Sequence, residues 1–230
     1  RERITRSWAY LPEERYLDAL SHLQVLVKEL EAEGRRDDAL PTTFELLTLL
    51  AFHLFEEFPW AVLETGLGGR LDATNVVIPE ATVITPIELE HTEYLGDTIP
   101  QIAGEKAGIL KKGAPVFTAP LKDEAEGVVA ARARELGVPH FRYRELIDER
   151  EILVTREGTV VRGRLRGAKL EFTLRLLGER QARNALLALA VATHLFPELS
   201  LNRAAIAVEQ VRLPGRMELF GGDPPVLIDG

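Results

Sequence analysis

The chain has 230 residues, 46% hydrophobic and 28% charged, with 36 acidic against 28 basic side chains for a formal charge of −8. This is the balance of an ordinary soluble globular protein, and it argues against a nucleic-acid partner, which needs a clustered Lys/Arg face. The absence of cysteine excludes disulfides, thiol nucleophiles and cysteine-ligated metals. No apolar run nears the roughly 18 residues of a membrane span and no signal peptide is visible, so a cytoplasmic protein with no membrane partner is expected.

In chain order, Tyr16, Leu20, Leu23, Val27 and Leu30 recur at helical spacing and predict a helix over 13–33, ended by Gly34. Thr42-x-x-Glu45 reads as a capping box for a second helix, apolar almost all round through Phe58 and therefore expected to be buried. Residues 60–64 and 81–87 read as short apolar strands. Thr98 caps a helix over 99–111 with Pro100 in its first turn. A strand at 115–118, a helix over 121–136 and a strand near 139–142 follow.

This alternation predicts an α/β fold, a mostly parallel sheet with helices on both faces. Between about 150 and 176 short alternating runs, with turns expected at Glu157-Gly158 and at Gly163, predict a small antiparallel insertion. The basic run 156–169 within it reads as a solvated hairpin surface. Helices return at 179–196 and 202–211, and a last apolar strand, 225–228, runs into Asp229-Gly230. With an opening on Arg1-Glu2-Arg3-Ile4 and a core-like strand at the other end, the chain reads as a segment of a longer protein, organised as one α/β domain.

Ligands of parallel α/β sheets bind at the carboxyl ends of the strands, and two such ends carry unusual residues. The first is Glu64-Thr65-Gly66-Leu67-Gly68-Gly69-Arg70-Leu71-Asp72-Ala73-Thr74-Asn75. Its spacing is wrong for a dinucleotide fingerprint and no helical pattern follows, which leaves a structural turn or a ligand loop. The second is Glu88-Leu89-Glu90-His91-Thr92, where His91 is either a loop histidine or a ligand. Glutamate and imidazole together can hold a divalent ion, and partly hydrated, oxygen-rich coordination suits Mg²⁺. On the helix 99–111, Ile99, Ile102, Ala103, Ala107, Ile109 and Leu110 form the apolar face, and Lys106 lies near its middle. It is either a lysine snorkelling to the surface or a buried amine with chemistry to do, such as carbamylation by CO₂.

The motif from Glu64 to Asn75, Glu90-His91-Thr92 with Leu95-Gly96, and Glu105-Lys106-Ala107-Gly108-Ile109 resemble the signatures of the dihydrofolate synthase/folylpolyglutamate synthase family of the Mur ligase superfamily. Arg183-Asn184-Ala185, Pro214-Gly215-Arg216-Met217-Glu218 and Ile228-Asp229-Gly230 follow in the same order. The resemblance covers about 41–120 and 178–230. It implies the central ATP-binding domain of a P-loop type, with residues 225–230 opening a further glutamate-ligase domain. The implied activity is ATP-dependent ligation of L-glutamate to dihydropteroate or a reduced folate through an acyl phosphate, by a monomer.

Carried over by position, the resemblance makes Glu64 and His91 the Mg²⁺ ligands and Lys106 a carbamylated catalytic lysine. Asn184, Arg216 and Asp229 become ATP contacts. Leu71, Asp72 and Ala73, and more loosely Thr43 and Phe44, become pterin contacts. Two positions depart from the family pattern: Glu90 stands where Asp is usual and Thr65 where Val is common. The family's Gly-rich phosphate loop has no counterpart in these residues. A peptidoglycan-type Mur ligase, a non-catalytic nucleotide-binding homologue and an unrelated metal-binding α/β domain remain as alternatives.

Overall fold

The computed structural model describes residues 4–6, 9–33 and 40–229. Their contacts form two units, Arg1–Val77 and Ile78–Gly230. Among the described residues no helix is long and apolar enough to cross a membrane.

In the first unit, strands β1 (Thr5–Arg6) and β2 (Ala9–Tyr10) pair antiparallel ahead of helix α1 (Glu13–Ala32). Helix α2 (Thr43–Phe55) follows, and Ala73–Val76 form one turn of 3₁₀ helix. Tyr16, Ala19 and Leu23 of α1 bury against Leu50 and Leu54 of α2, with Ile4 and Leu11 in the same core, and the Tyr16 hydroxyl donates to the Ile4 carbonyl. Ala19 rather than the expected Leu20 takes the core position, and Leu20 is exposed. The predicted stop at Gly34 lies outside the described residues.

The Thr42 capping box is present: the Glu45 amide donates to the Thr42 hydroxyl, and the Thr42 amide donates to the Glu45 carboxylate at 2.6 Å. Two expectations fail here. Helix α2 ends at Phe55 and is buried along one face only, with Leu49 exposed, because α1 is the helix that packs on it. Residues 60–64 form no strand. Val62 is 98% exposed, and without a neighbouring ladder to take its N–H and C=O groups an apolar run stays unpaired backbone.

The second unit is built on three parallel strands in the order β3 (Thr82–Ile84), β4 (Val116–Thr118), β5 (His140–Arg142). Strand β3 is shorter than expected, since Pro86 can donate no ladder hydrogen bond. Successive side chains of a strand face opposite ways, and β4 is buried on both sides. Val116 joins Ile102, Ala103 and Val129 of helices α4 (Ile99–Ala107) and α5 (Asp123–Leu136), which follow the short helix α3 (Thr92–Leu95). Phe117 joins Leu186, Leu187 and Ala190 of a later helix, Glu179–Leu195. The mixed α/β fold with a parallel sheet and helices on both faces is therefore as the sequence predicts.

After the helical turn α6 (Tyr143–Leu146), strands β6 (Ile147–Val154), β7 (Thr159–Leu165) and β8 (Ala168–Leu174) make the antiparallel sheet. Its exposed face carries the basic run, with Arg162 bridging Glu151 and Glu171. One expected turn is misplaced. Gly163 lies inside β7 opposite a bulge at Glu149/Glu151, where a Cβ would stand 2.5 Å from the Asp148 carbonyl oxygen. The reversal instead uses Arg166 (φ 49°) and Gly167 (φ 83°), the paired positive φ of a tight hairpin turn.

Helices α7 (Glu179–Leu195) and α8 (Leu201–Glu209) follow, the latter capped by the Ser200 hydroxyl accepting from the Arg203 amide. Strands β9 (Glu218–Phe220) and β10 (Val226–Ile228) close the described chain as an antiparallel hairpin. The side chains of β10 are exposed, so this strand is not the core strand that its composition suggests.

Because Phe117 is fully buried and stacks on Phe141 at 4.9 Å between ring centres, Phe117→Ala should destabilise the chain by about 3–5 kcal/mol. Urea denaturation followed by circular dichroism reads this directly, and a change under 1 kcal/mol would show that β4 is not the centre of the core.

Candidate functional site

The Glu64–Asn75 segment folds on Asp72. One oxygen of its carboxylate accepts from the Gly66 and Leu67 amides at 2.8 and 3.0 Å, and the other from the Thr74 amide and hydroxyl at 2.9 and 2.5 Å. Asp72 is thereby also the N-cap of the 3₁₀ turn Ala73–Val76. The Asn75 side-chain amide donates to the Arg70 carbonyl at 3.0 Å, and Gly68 supplies a positive φ of 66°. Partial burial pushes the Asp72 carboxyl up, but the Thr74 hydroxyl and the Leu67, Thr74 and Gly66 amides outweigh it and hold it below the usual aspartate value.

This loop lies against the start of α2. A Cβ on Gly66 would stand 2.5 Å from the Phe44 ring, so only glycine lets the ring seat there undisturbed. The structure therefore brings together Thr43 and Phe44 at the α2 N-terminus with Gly66, Asp72 and Ala73. Leu71 projects from the loop, 80% exposed, and Thr43 and Glu64 are also exposed. Asp72 differs from a simple ligand contact, since both its oxygens are already engaged by its own loop.

In the second unit, His91 has a left-handed backbone (φ 49°, ψ 40°) and is the N-cap of α3, its carbonyl accepting from the Tyr94 and Leu95 amides. Outside glycine this conformation costs about 1–2 kcal/mol, and such strain collects at ligand sites. The imidazole makes no capping hydrogen bond and is exposed, which leaves its nitrogens to the outside.

The next turn, Gly96 to Gln101, is fixed by a second capping box: Gln101 Oε1 accepts from the Asp97 and Thr98 amides, and the Gln101 amide donates to Thr98 Oγ1. It sets α4 so that Lys106 Nζ reaches Glu90 Oε1 at 2.9 Å. Lys106 is 21% exposed, not buried as the helical wheel suggests, and Glu90 is 48% exposed. The pairing places Lys106 next to the residue that precedes His91. The sequence marks Glu90 as part of the Glu90-His91-Thr92 motif and as a departure from the family pattern, not as a partner of Lys106. Its one signal, an extra methylene of reach, became legible once α4 was placed.

Asn184 lies partly buried on α7, beside Arg183, which pairs with Glu149 at 3.1 Å, while Tyr143 donates to the same carboxylate at 2.6 Å. Burial and the Glu149 charge push the Tyr143 hydroxyl well above its usual value, so it acts as a fixed donor. The β9–β10 hairpin carries the remaining pair: Asp229 Oδ1 accepts from the Met217 amide at 3.1 Å, which brings Asp229 beside the residue after Arg216. Among the described residues, Asn184 is hydrogen-bonded to neither the His91–Lys106 segment nor this hairpin.

Residues 16–192 match the family model described as the Mur ligase middle domain. The chain belongs to that family. Among curated relatives, this Mur ligase middle domain is 38% identical over 217 residues to the dihydrofolate synthase/folylpolyglutamate synthase of Bacillus subtilis, covering 87% of the chain and 49% of the relative. Among solved structures, a Mycobacterium tuberculosis folylpolyglutamate synthase complexed with ADP and AMPPCP superposes with a TM-score of 0.87 at 30% identity, covering 96% of the chain and 52% of that protein. An FPGS–AMPPCP–folate complex gives 0.87 at 28% identity, with 96% and 55% covered. The chain thus spans about half the length of the relatives it matches.

The depressed Asp72 value fixes a sign. Its contribution is present above the unfolded value of 3.8 and is lost as pH falls through the lower folded value. Asp72→Ala should therefore cost about 0.5–2 kcal/mol at pH 7, the range for an N-cap. In urea melts the gap to the native chain should close towards pH 3; an equal gap at both pH values would mean that the carboxylate charge does not hold the loop.

Proposed function

We propose that the chain is the central ATP-binding part of a ligase that joins L-glutamate to dihydropteroate or a reduced folate. The observation that carries this reading is the Asp72-centred loop, whose sequence resembles the signature of the folylpolyglutamate synthase family and which seats Phe44 against Gly66. An aromatic ring seated against a loop that projects an exposed leucine suits a flat heteroaromatic ring. The FPGS–AMPPCP–folate complex among the neighbours supports the same assignment.

The proposed chemistry is a carboxylate oxygen attacking the γ-phosphorus of ATP, with ADP leaving, followed by attack of the glutamate amine on the acyl phosphate and release of phosphate. Negative charge builds on the transferring group, and catalysis rests on positioning and charge stabilisation. Glu64 and His91, each exposed in its own unit and with His91 spared from capping, are assigned as the carboxylate and imidazole ligands of a divalent ion. Mg²⁺ held there would supply neutralising charge.

Lys106 stands as an ion-paired ammonium with Glu90. Its carbamylation, through loss of a proton and addition of CO₂, requires that pair to open, and Glu90 then has to turn away from the new anion. Asn184 is assigned to the adenine, and Arg216 and Asp229 to the phosphates or ribose. Thr43, Phe44, Leu71 and Ala73 are assigned to the pterin, and Asp72 is assigned to holding their loop. The phosphate loop and the glutamate-binding part are assigned to the remainder of the ligase, with 225–230 leading towards the latter. A monomer in the cytoplasm is the accompanying reading.

The test is to incubate the ligase that carries this chain with Mg-ATP, dihydropteroate or tetrahydrofolate, and glutamate. ADP and the new amide should appear in equal amounts. His91→Ala and Lys106→Ala should each lower kcat by about 10²–10³, the usual loss for one charge stabiliser, with nucleotide binding retained in calorimetry. Undiminished turnover in both variants would overturn the residue assignment. Turnover only with a carboxylic acid unrelated to folate would overturn the substrate assignment in favour of another Mur-type amide ligase.

A further inference from the structure

Using none of the residues assigned to the ligase site, helices α1 and α2 bring Asp18, His22 and His53 together, with one ligand atom from each lying within 4.8 Å of the others. Asp18 and His22 are four residues apart on α1 and so share a face. His53 comes from the last turn of α2. The helices are held by the buried contacts of Tyr16, Ala19 and Leu23 with Leu50 and Leu54, so the three side chains stand on a packed scaffold and not on loops.

His22 Nδ1 and His53 Nε2 are 3.3 Å apart with the rings perpendicular. Two nitrogens bound to one tetrahedral zinc at about 2.0–2.1 Å are themselves separated by about 3.3–3.4 Å. The distance that the structure shows as an imidazole–imidazole hydrogen bond is thus also the edge of a zinc tetrahedron. The cluster borders a surface concavity of about 260 Å³ lined by Glu14, Arg15, Asp18, His53 and Leu54. Arg15, the cation nearest in sequence, is committed to the Glu57 carboxylate and, at 3.1 Å, to the Leu54 carbonyl.

We propose that Asp18, His22 and His53 form a binding site for a divalent transition metal of the Zn²⁺ class, which fastens α1 to α2. Two imidazoles and one carboxylate favour Zn²⁺, Ni²⁺ or Cu²⁺ and disfavour Mg²⁺, which wants oxygen ligands. This site is therefore separate in chemistry from the one assigned to Glu64 and His91, and it does not rest on the ligase reading. On binding, both facing nitrogens present lone pairs; the ring that donates in the histidine pair moves its proton to its outward nitrogen, with no net proton released. Three protein ligands leave a fourth position for water. Bound metal stabilises the folded chain by mass action.

The experiment titrates the metal-free chain with Zn²⁺ in millimolar Mg²⁺, by calorimetry and by thermal unfolding. One zinc per chain should bind and raise the melting temperature, and the ring ¹⁵N signals of two histidines should shift in the native sequence, where no substitution disturbs folding. His22→Gln and His53→Gln should each weaken binding by more than about tenfold, the lower end of what losing even an outer partner of a metal ligand costs. His91→Ala should leave binding unchanged. No saturable binding, binding unaltered in both glutamine variants, or binding lost in His91→Ala and kept in His53→Gln would each overturn the proposal.

Discussion

Strand β4 must be apolar on both faces, and the larger unit depends on that requirement. Val116 faces α4 and α5, while Phe117 faces α7 and, through the same core, the antiparallel sheet. A strand of three residues, Val116–Thr118, thus separates two hydrophobic cores that otherwise share no buried side chain. Its parallel neighbours can be reached only through crossover helices, and those crossovers are what set α4, and with it Lys106, behind the loop that carries His91. The carboxyl ends of the strands then become the place where polar residues can gather without being buried in either core.

In each unit, the loops that carry the candidate residues are shaped by backbone donors more than by side-chain bulk. Asp72 ties four donors of its own segment, and Gln101 collects the Asp97 and Thr98 amides and the Thr98 hydroxyl. The oxygens that organise the Asp72 loop release another residue of that loop, Leu71, to face outward. This division separates residues that hold the loop from residues that can meet a ligand. Within Leu71-Asp72-Ala73 only Leu71 is exposed, while Asp72 holds the turn.

Much of this was legible before any coordinates. Period and capping chemistry are local, so α1, α2, α4, α5, α7 and α8 fall where the pattern of Tyr16, Thr42, Thr98 and their successors places them, within a few residues. Strands were less legible because a strand exists only with its neighbour: residues 60–64 have the composition of a strand and no ladder, and β10 has the composition of a core strand and an exposed hairpin. Gly163 reads as a turn because glycine serves both in turns and where another backbone comes close, and only the Asp148 carbonyl decides between these uses. The residue types of Glu64, His91 and Lys106 suggest chemistry, but the Glu90–Lys106 pair joins positions 16 residues apart through tertiary placement alone. The Asp18–His22–His53 cluster was equally hidden, as a histidine on a second helix carries no mark of its partner.

The proposed function turns on one step, activation of a folate carboxylate by phosphoryl transfer from ATP. Isotope labelling tests this most directly: the acceptor carboxylate is enriched in ¹⁸O, the ligase carrying this chain turns over with ATP and glutamate, and the released phosphate is analysed by mass. Through an acyl phosphate, the oxygen that attacks phosphorus leaves with it, so one ¹⁸O per turnover should appear in inorganic phosphate. Amide formed with unlabelled phosphate would contradict the account.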